Sequence, residues 1–352
     1  MKIRVGLSFL VFCLISNVSK AQDDLDVFLE SGIEDANKLA QGYLEPFLGS
    51  FSSGLTGGWY NTAKAHKSAG FDLTVTANAV YIPSDQYFYR AEFNNLTYDP
   101  AGPQVSPTIF GPEGGNAQPT YNYSFTEEGQ TFEGSFQGPE GIGLKENFPI
   151  QAMPVPMAQL GIGIVKNTDI KIRWTPKIDL DDNSDFKLIG FAVMHDVKQH
   201  IPGIKDLPFD LSALIGFTDI SINYDLAAES ESPGPGAANE VITENGKGVV
   251  DMNAWTVQGI ISKKFSVLTL YGSLGYNIVK SEMGLKGDYQ IMDDTGLTAE
   301  REYTNPILVT YKQSGPRMTA GFRLKLAIVT LHADYTLQKY NTLSVGFGFA
   351  VR

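Results

Sequence analysis

Four histidines, one cysteine and two pairs of basic residues are the side chains of this 352-residue sequence with the clearest chemical potential. His332 and Asp334 stand two apart, so on a β-strand they share a face, and a serine approaching from another strand would complete a hydrolytic arrangement. An ordinary hydrogen bond in a polar interior is the simpler role. No Gly-x-Ser-x-Gly elbow, His-Glu-x-x-His or phosphate-binding glycine loop accompanies the pair. The expectation is a protein that is not an enzyme. His195 and His200 are five apart and off a shared helical face, which argues against a metal pair, so neither metal nor cofactor is expected. Lys171 with Arg173, and Arg323 with Lys325, each share a strand face, and their role depends on the elements that carry them.

Those elements begin with an export signal. Lys2 and Arg4 precede an apolar run from Val5 to Ile15, and Ser19-Lys20-Ala21 offers small residues for cleavage before Gln22. Eleven residues fall short of the ~20 that a spanning helix needs. Cys13 lies inside this run, after Leu10-Val11-Phe12 and not after the small residues of a lipid-attachment site. The mature chain is therefore expected to hold no disulfide and no thiolate site. The full chain carries a formal charge of −12, and loss of Lys2, Arg4 and Lys20 makes the remainder more acidic. Nucleic acid is excluded as a partner on that ground. Charged residues make up 19%, against about 25% in soluble domains.

One segment has helical period: Leu25, Phe28, Leu29, Ile33, Ala36, Leu39, Ala40, Tyr43, Leu44 and Phe47 recur at three- and four-residue steps. Asp23, Asp24, Asp26, Glu30, Glu34 and Asp35 crowd its start, as suits a helix N-terminus. Pro46 and Gly49 mark its expected end, and Gly49 to Gly58 reads as a hinge or loop.

From Phe71 the period becomes two. Met318, Ala320, Phe322, Leu324 and Leu326 alternate with Arg317, Thr319, Gly321, Arg323 and Lys325. Segments 329–338 and 343–351 alternate in the same way. Each is about ten residues, the length of a tilted strand across a bilayer. Seven earlier candidates are Phe71–Tyr81, Met157–Val165, Ile170–Asp179, Phe186–His195, Phe209–Tyr224, Val250–Ser262 and Ser266–Lys280. Weaker segments at Tyr87–Tyr98, Tyr121–Phe136, Tyr289–Ile291 and Ile307–Lys312 could add strands or build loops. The fold class is all-β: a transmembrane antiparallel barrel of ten to fourteen strands, even in number, with a short N-terminal helix as plug or periplasmic element. The division is 1–21 signal, 22–58 helical segment and Gly-Ser loop, and 59–352 barrel.

Tight turns at Lys166–Asp169, Lys263–Phe265 and Ala327-Ile328 fall on one side, the periplasmic one, with a longer link at Asp196–Pro208. Long polar insertions, Ala227–Gly248 and Ser281–Gln313, fall on the other and are expected outside the cell. Lys171, Arg173, Arg323 and Lys325 then face the lumen near the periplasmic end. They are candidate counter-charges for a carboxylate ligand or for the acidic helix, or members of an ordinary lumen ion lattice. The small inward residues Gly161, Gly163, Gly346 and Gly348 are expected to leave room for the helix, and Gly348→Ser to be far milder than Phe347→Arg. Trp174, Trp255, Tyr271, Tyr276 and Tyr335 are expected in interfacial girdles.

The pattern resembles the FadL-like outer-membrane barrels, in an uncharacterised Bacteroidota branch. The resemblance rests on the signal ending in Ala-Gln, the N-terminal helix, and Trp59-Tyr60-Asn61-Thr62-Ala63-Lys64 before the first strand. It rests also on Gln159-Leu160-Gly161-Ile162-Gly163 before a turn and Asp196-Val197-Lys198-Gln199 before Ile201-Pro202. It implies passage of small hydrophobic molecules such as fatty acids across the outer membrane, with the N-terminal segment plugging the lumen. The Asn-Pro-Ala opening of better-known members is missing, so no ligand residue carries over. The alternative is a closed barrel that serves as a binding or assembly subunit of a larger outer-membrane complex. A continuous passage or lateral opening separates the two. The expected partners are membrane lipids, a hydrophobic small molecule and an outer-membrane protein.

Overall fold

The computed structural model describes residues 32–127, 130–147, 150–179, 184–226, 241–243, 245–292 and 299–351. The proposed signal, residues 22–31 of the helical segment and most of the Ala227–Gly248 insertion lie outside these.

Among the described residues ten strands close into an up-and-down antiparallel barrel. They are β1 (Phe71–Tyr81), β2 (Ala152–Gly163), β3 (Thr168–Asp179), β4 (Ser184–Asp196) and β5 (Asp210–Asp225). The wall continues with β6 (Lys247–Phe265), β7 (Leu268–Lys286), β8 (Leu308–Leu326), β9 (Val329–Leu337) and β10 (Thr342–Val351). Each strand pairs with its sequence neighbour, and β1 pairs with β10 from Phe71↔Val351 to Val80↔Thr342 to complete the ring. These are the ten segments whose alternation is strongest. The weaker ones at 87–98, 121–136 and 289–291 build sheets outside the wall, while 307–312 lies at the start of β8.

Period two makes the wall two-faced. On β1, Asp72, Thr74, Thr76 and Asn78 are buried, while Leu73 and Val75 are each 48% exposed. Leu274, Val257, Ile278, Val345 and Phe347 continue the outward apolar band around the ring. A closed ladder leaves no edge unpaired in lipid, and the apolar exterior is soluble only there. The chain is a transmembrane β-barrel.

The turns at 164–167, 266–267 and 327–328, the link 197–209 and the C-terminal strand end share one rim, here the turn rim, and the connections 82–151, 226–246, 287–307 and 338–341 share the other, the loop rim. Ser266 (φ 54°) and Ala327 (φ 54°) turn the chain in left-handed geometry at two-residue hairpins, and Lys166 and Asn167 (φ 57° and 52°) do so in the three-residue turn closed by Ile164 N–H to Thr168 O. The second tight turn is Ser266-Val267, because β6 runs through the expected turn to Phe265. Strands β6, β7 and β8 are each 19 residues long, about twice what a bilayer needs, and project past the membrane on the loop side. Ser281–Lys286 and Leu308–Gln313 are thus strand, which shortens the expected Ser281–Gln313 insertion. The longest loop-rim connection is 82–151, whose two small sheets enclose Phe93, Tyr98, Tyr121 and Phe136. Burial raises the pKa of the Tyr89 and Tyr121 hydroxyls above the usual phenol value.

Helix α1 (Ile33–Leu55) fills the loop-side part of the lumen as a plug. The expected stop at Pro46 and the hinge at Gly49–Gly58 are overturned. The helix continues to Leu55, and every residue from Pro46 to Leu55 is buried. Small residues sit here because the wall is close. A Cβ on Gly49 would lie 2.6 Å from the Tyr340 ring, and one on Gly54 would lie 2.6 Å from Val155. Ser50, Ser52 and Ser53 return their hydroxyls to the Phe47, Leu48 and Gly49 carbonyls, and Ser52 also meets the Ser281 hydroxyl of the wall at 2.7 Å, so the buried serines are satisfied within the helix and against β7. Tertiary packing overrides propensity.

Candidate functional site

The lumen has two halves of opposite chemistry. Toward the loop rim its wall is apolar: Val80, Met153, Val155, Leu188, Ile220 and Met252 are buried against Phe47, Leu48, Phe51 and Leu55 of α1. Toward the turn rim it is polar, with Gln159, Thr218, Gln258, Ser273 and Thr319 buried.

The plug is held at both ends. Near the loop rim, the Asn37 amide donates to Pro306 O (2.8 Å) and accepts from Leu308 N–H (2.8 Å), while Gln41 makes the same exchange with Thr310 at 3.2 Å. These amides take the place of a strand. Strand β9 reaches only as far as Met318↔Leu337, which leaves β8 without a strand neighbour on that side above this pair. Asp35, buried on the first turn, accepts backbone N–H bonds from Asn94, Asn95 and Leu96 and so ties the plug to the 82–151 connection.

At the other end α1 has no basic residue in its last turn, and two arginines of the wall supply the missing cations. Arg173 on β3, fully buried, donates to Leu55 O (2.9 Å) and to Gly57 O. Its guanidinium also lies over the Trp59 ring. Arg317 on β8 donates to Thr56 O at 2.8 Å. The chain then reverses through Gly58, whose φ of 70° suits glycine, and residues 59–70 run as a strap down the polar half. Tyr60 donates to Gln258, Ala63 N–H to Ser262, and Ser212 to Ala63 O. His66 contacts Asp169 through its backbone N–H (2.8 Å) and through Nδ1 (2.9 Å). Its Nε2 lies 3.5 Å from Asp72, which Lys171 approaches to 3.6 Å.

Of the four basic residues singled out in the sequence, Lys171, Arg173 and Arg323 are buried in the lumen. Lys325 donates to Ala350 O at 2.9 Å. Among the described residues the two carboxylates of the expected acidic cluster, Glu34 and Asp35, do not come to them; Asp23, Asp24, Asp26 and Glu30 lie outside those residues. Among the described residues Glu34 and Asp35 lie at the opposite end of α1, with Lys38 as ion partner. Arg173 meets the helix through its terminal carbonyls, and Arg317, which shares the inward face of Arg323, was missed. The glycines correct likewise. Gly163 faces the strap at His66 and Lys67, but Gly161 accommodates Asp72, Gly346 accommodates His332, and Gly348 lies against Leu73 O and Thr74. None of the four touches α1. Tyr271 is no girdle residue: it points inward, donates to Asp334 at 2.8 Å and meets Tyr60 edge to face. Trp174, Trp255, Tyr276 and Tyr335 are exposed on the outer face.

His332 and Asp334 share an inward face but not a catalytic geometry. Asp334 is engaged by Tyr271, His332 Nε2 lies 3.4 Å from Thr76 Oγ1, and His332 Nδ1 has no hydrogen-bond partner, so the orienting bond of a triad is missing. The separation expected for His195 and His200 is overturned. A 3₁₀ turn at Lys198–His200 folds the chain back on the end of β4 and brings the two Nε2 atoms to 2.9 Å.

The wall itself has a seam. Strands β2 and β3 pair only from Gly163↔Asp169 to Gln159↔Arg173. Above that, Ala152–Ala158 pairs with β1 alone and Trp174–Asp179 with β4 alone. The cause is in the sequence. Gly163 N–H points to Gly70 O on the β1 side and Ile164 N–H to Thr168 O on the β3 side, so even-numbered positions of β2 direct their nitrogens at β3. Two of these are Pro154 and Pro156, which have no N–H to give. Prolines two apart in an alternating strand are the signal that would have located the seam.

No curated protein matches the sequence. Among solved structures, the attachment invasion locus protein Ail of Yersinia pestis is similar at 8% identity, over 81% of this chain and 99% of that one, with a TM-score of 0.25. The translocator domain of the autotransporter NalP from Neisseria meningitidis shares 10% identity, over 87% and 93%, at 0.27. The deltaS2 mutant of the TodX monoaromatic hydrocarbon channel shares 7%, over 81% and 90%, at 0.23. Likeness at this level does not define the barrel, which rests on its own strand pairing. A family model matches residues 1–351, and the chain belongs to that family, a family of unknown function (DUF6588).

Proposed function

We propose that this chain is an outer-membrane barrel that passes small hydrophobic molecules, in the manner of the FadL-like barrels it resembles, through the β2–β3 seam. The observation that carries the reading is the coincidence of that seam with the apolar half of the lumen: Met153, Val155 and Met157 line the inside of the strand whose outer edge is unpaired. Water-filled channels have polar interiors. An apolar interior beside an unzipped wall suits a solute that partitions from lipid. In this reading the turn rim is periplasmic, α1 yields to the solute while the strap stays tied, and the lumen carries out no covalent chemistry. The chain's partners are lipids and the hydrophobic solute, not nucleic acid.

The test restores the missing donors. Pro154→Thr with Pro156→Thr lets the ladder between β2 and β3 extend, and uptake of a long-chain fatty acid by cells carrying the double variant should fall to the level of cells lacking the protein. Insertion and heat-modifiability on gels should stay unchanged. Uptake equal to wild type in the double variant overturns the reading.

A second reading draws on the arginine grip. A plug whose last turn is held by two buried guanidiniums suits a barrel that stays closed and serves as a subunit of a larger complex. Its mark is a wild-type protein that leaves uptake unaffected and is recovered with a stoichiometric outer-membrane partner.

A further inference from the structure

We propose that the turn rim binds the phosphate headgroups of anionic phospholipids through its exposed lysines. The chain as a whole is acidic, with a formal charge of −12. Its turn rim is the reverse. Lys64 and Lys67 on the strap, Lys166 in the β2–β3 turn, Lys205 in the 197–209 link, and Lys263 and Lys264 near the end of β6 are all exposed there. Among the described residues of this rim Asp206 is the exposed carboxylate. Asp196 and Asp210 are half-buried, and Asp72 and Asp169 are buried against Lys171 and His66. Among the described residues no carboxylate lies in ion-pair range of the six lysines, whereas on the loop side Lys38 and Lys280 each hold one. Like charges gathered in this way raise the local potential and draw anions to the rim.

The depth of the lysines identifies the anion. Outward apolar residues run into the turns themselves: Val165 is 66% exposed, and Val267 and Ile328 are exposed beside it on the same rim. On β6 the outward face carries Trp255 at the loop-side girdle and Phe265 ten residues further on. At about 3.3 Å per residue and a tilt of about 40°, that span is about 25 Å, the height of the apolar band of such barrels. The turns therefore end at the lipid surface, and the lysines beside them stand among headgroups. With this rim periplasmic, as in the reading above, the lipid is one of the inner leaflet.

One place on the rim suits a phosphate best. Lys263 faces outward, with its ammonium 5.2 Å from the centre of the Phe265 ring. Asp210 pairs with Ser262, so Phe209 comes alongside Lys263 in the same register. The Lys198 ammonium lies 5.1 Å from the Phe209 ring and donates to the Leu207 and Phe209 carbonyls, which leaves it one further proton. Two ammoniums over neighbouring rings can share one phosphodiester. Leu270, opposite Lys263, and Leu207 are exposed beside them for its acyl chains. An acidic protein would leave these apolar flanks unused.

The experiment is native mass spectrometry of the untagged full-length barrel, released from detergent micelles doped equally with phosphatidylglycerol and phosphatidylcholine. Retention of phosphatidylglycerol over phosphatidylcholine is expected, and it should weaken as salt is raised. Lys263→Gln should lower the preference roughly fivefold, the loss expected for one lysine at an anionic surface, and Lys198→Gln with Lys263→Gln should lower it further. Lys263→Arg, which keeps the charge, should retain it, as should the loop-side pair Lys280→Gln with Lys312→Gln. Equal retention of the two lipids by the wild type, or a preference that the turn-rim variants leave unchanged, overturns the proposal. So does displacement of the lipid by inorganic phosphate, or lysine-dependent recovery of an acidic periplasmic protein in its place. Solute uptake plays no part in the measurement, so its failure and that of the transport reading are told apart.

Discussion

The guanidinium of Arg173 lies 3.5 Å from the centre of the Trp59 ring while it donates to the carbonyls of Leu55 and Gly57. One side chain from the wall therefore grips the plug on both sides of its reversal at Gly58. Arg173→Ala removes the donor of the Gly57 carbonyl and leaves the Leu55 carbonyl with only the long bond from the Thr218 hydroxyl (3.5 Å), a cost of about 1–3 kcal/mol for the seated plug. Raised conductance in planar bilayers, with insertion intact, is the expected outcome. Arg173→Lys, which cannot reach both carbonyls or stack its face, should give an intermediate value. Conductance at the wild-type level in both variants would show that the plug is seated by its apolar face alone.

Asp35 should govern the connection 82–151. Its carboxylate collects three successive N–H groups, at 94, 95 and 96, from inside a buried site. Asp35→Ala removes these charge-assisted bonds, about 1.5–3 kcal/mol for such a group. Limited proteolysis of the folded barrel should then cut within 82–151 faster than in wild type while the strands remain protected.

Outward and inward positions of β10 should both resist substitution, for different reasons. Phe347→Arg places a charge on the lipid face, at roughly 2–4 kcal/mol near mid-depth. Gly348→Ser is not the mild change that its inward position suggested, because a Cβ there falls 2.5 Å from the Leu73 carbonyl. It should lower the unfolding midpoint in urea measurably, whereas Val351→Ala at the strand end should not.

The loop-rim hairpin around Asp288 should loosen only in strong acid. Bonds from the Thr304 hydroxyl and the Asn245 amide hold this carboxylate below its usual pKa. A depressed pKa means the stabilisation is complete above the unfolded value of about 3.9 and is lost as pH falls through the folded one. Backbone amide exchange at Asp288–Met292 and Ala299–Thr304 should therefore be flat from pH 7 to 5 after correction for intrinsic rates, and rise below that range. In Asp288→Asn the acid-induced rise should vanish.

The barrel was legible because its signal repeats. Ten segments alternate with lipid-facing residues every second position, and Phe71–Tyr81 was located to the residue. What escaped were places where a residue's meaning depends on its neighbours in space. Pro46, Gly49 and the serines after it read as helix breakers, yet they are what a helix needs when a wall of tyrosine and valine presses on it. Arg317 belonged to the right face but gave no hint that it would meet a helix end. His195 and His200 were judged by helical spacing, whereas a strand end and a 3₁₀ turn bring them together. Pro154 and Pro156 could have been interpreted, since the direction of a missing N–H follows from the register.

The plug also bears on how the molecule is put together. The strap enters the wall at Phe71, the first residue of the first strand, and that strand zips to the last one, β10. Closure is therefore the joining of the chain's earliest and latest strands around a helix that comes before both. The strap thus tethers the plug to the very strand at which the ring closes, so a helix that shifts within the lumen stays leashed to the β1–β10 junction.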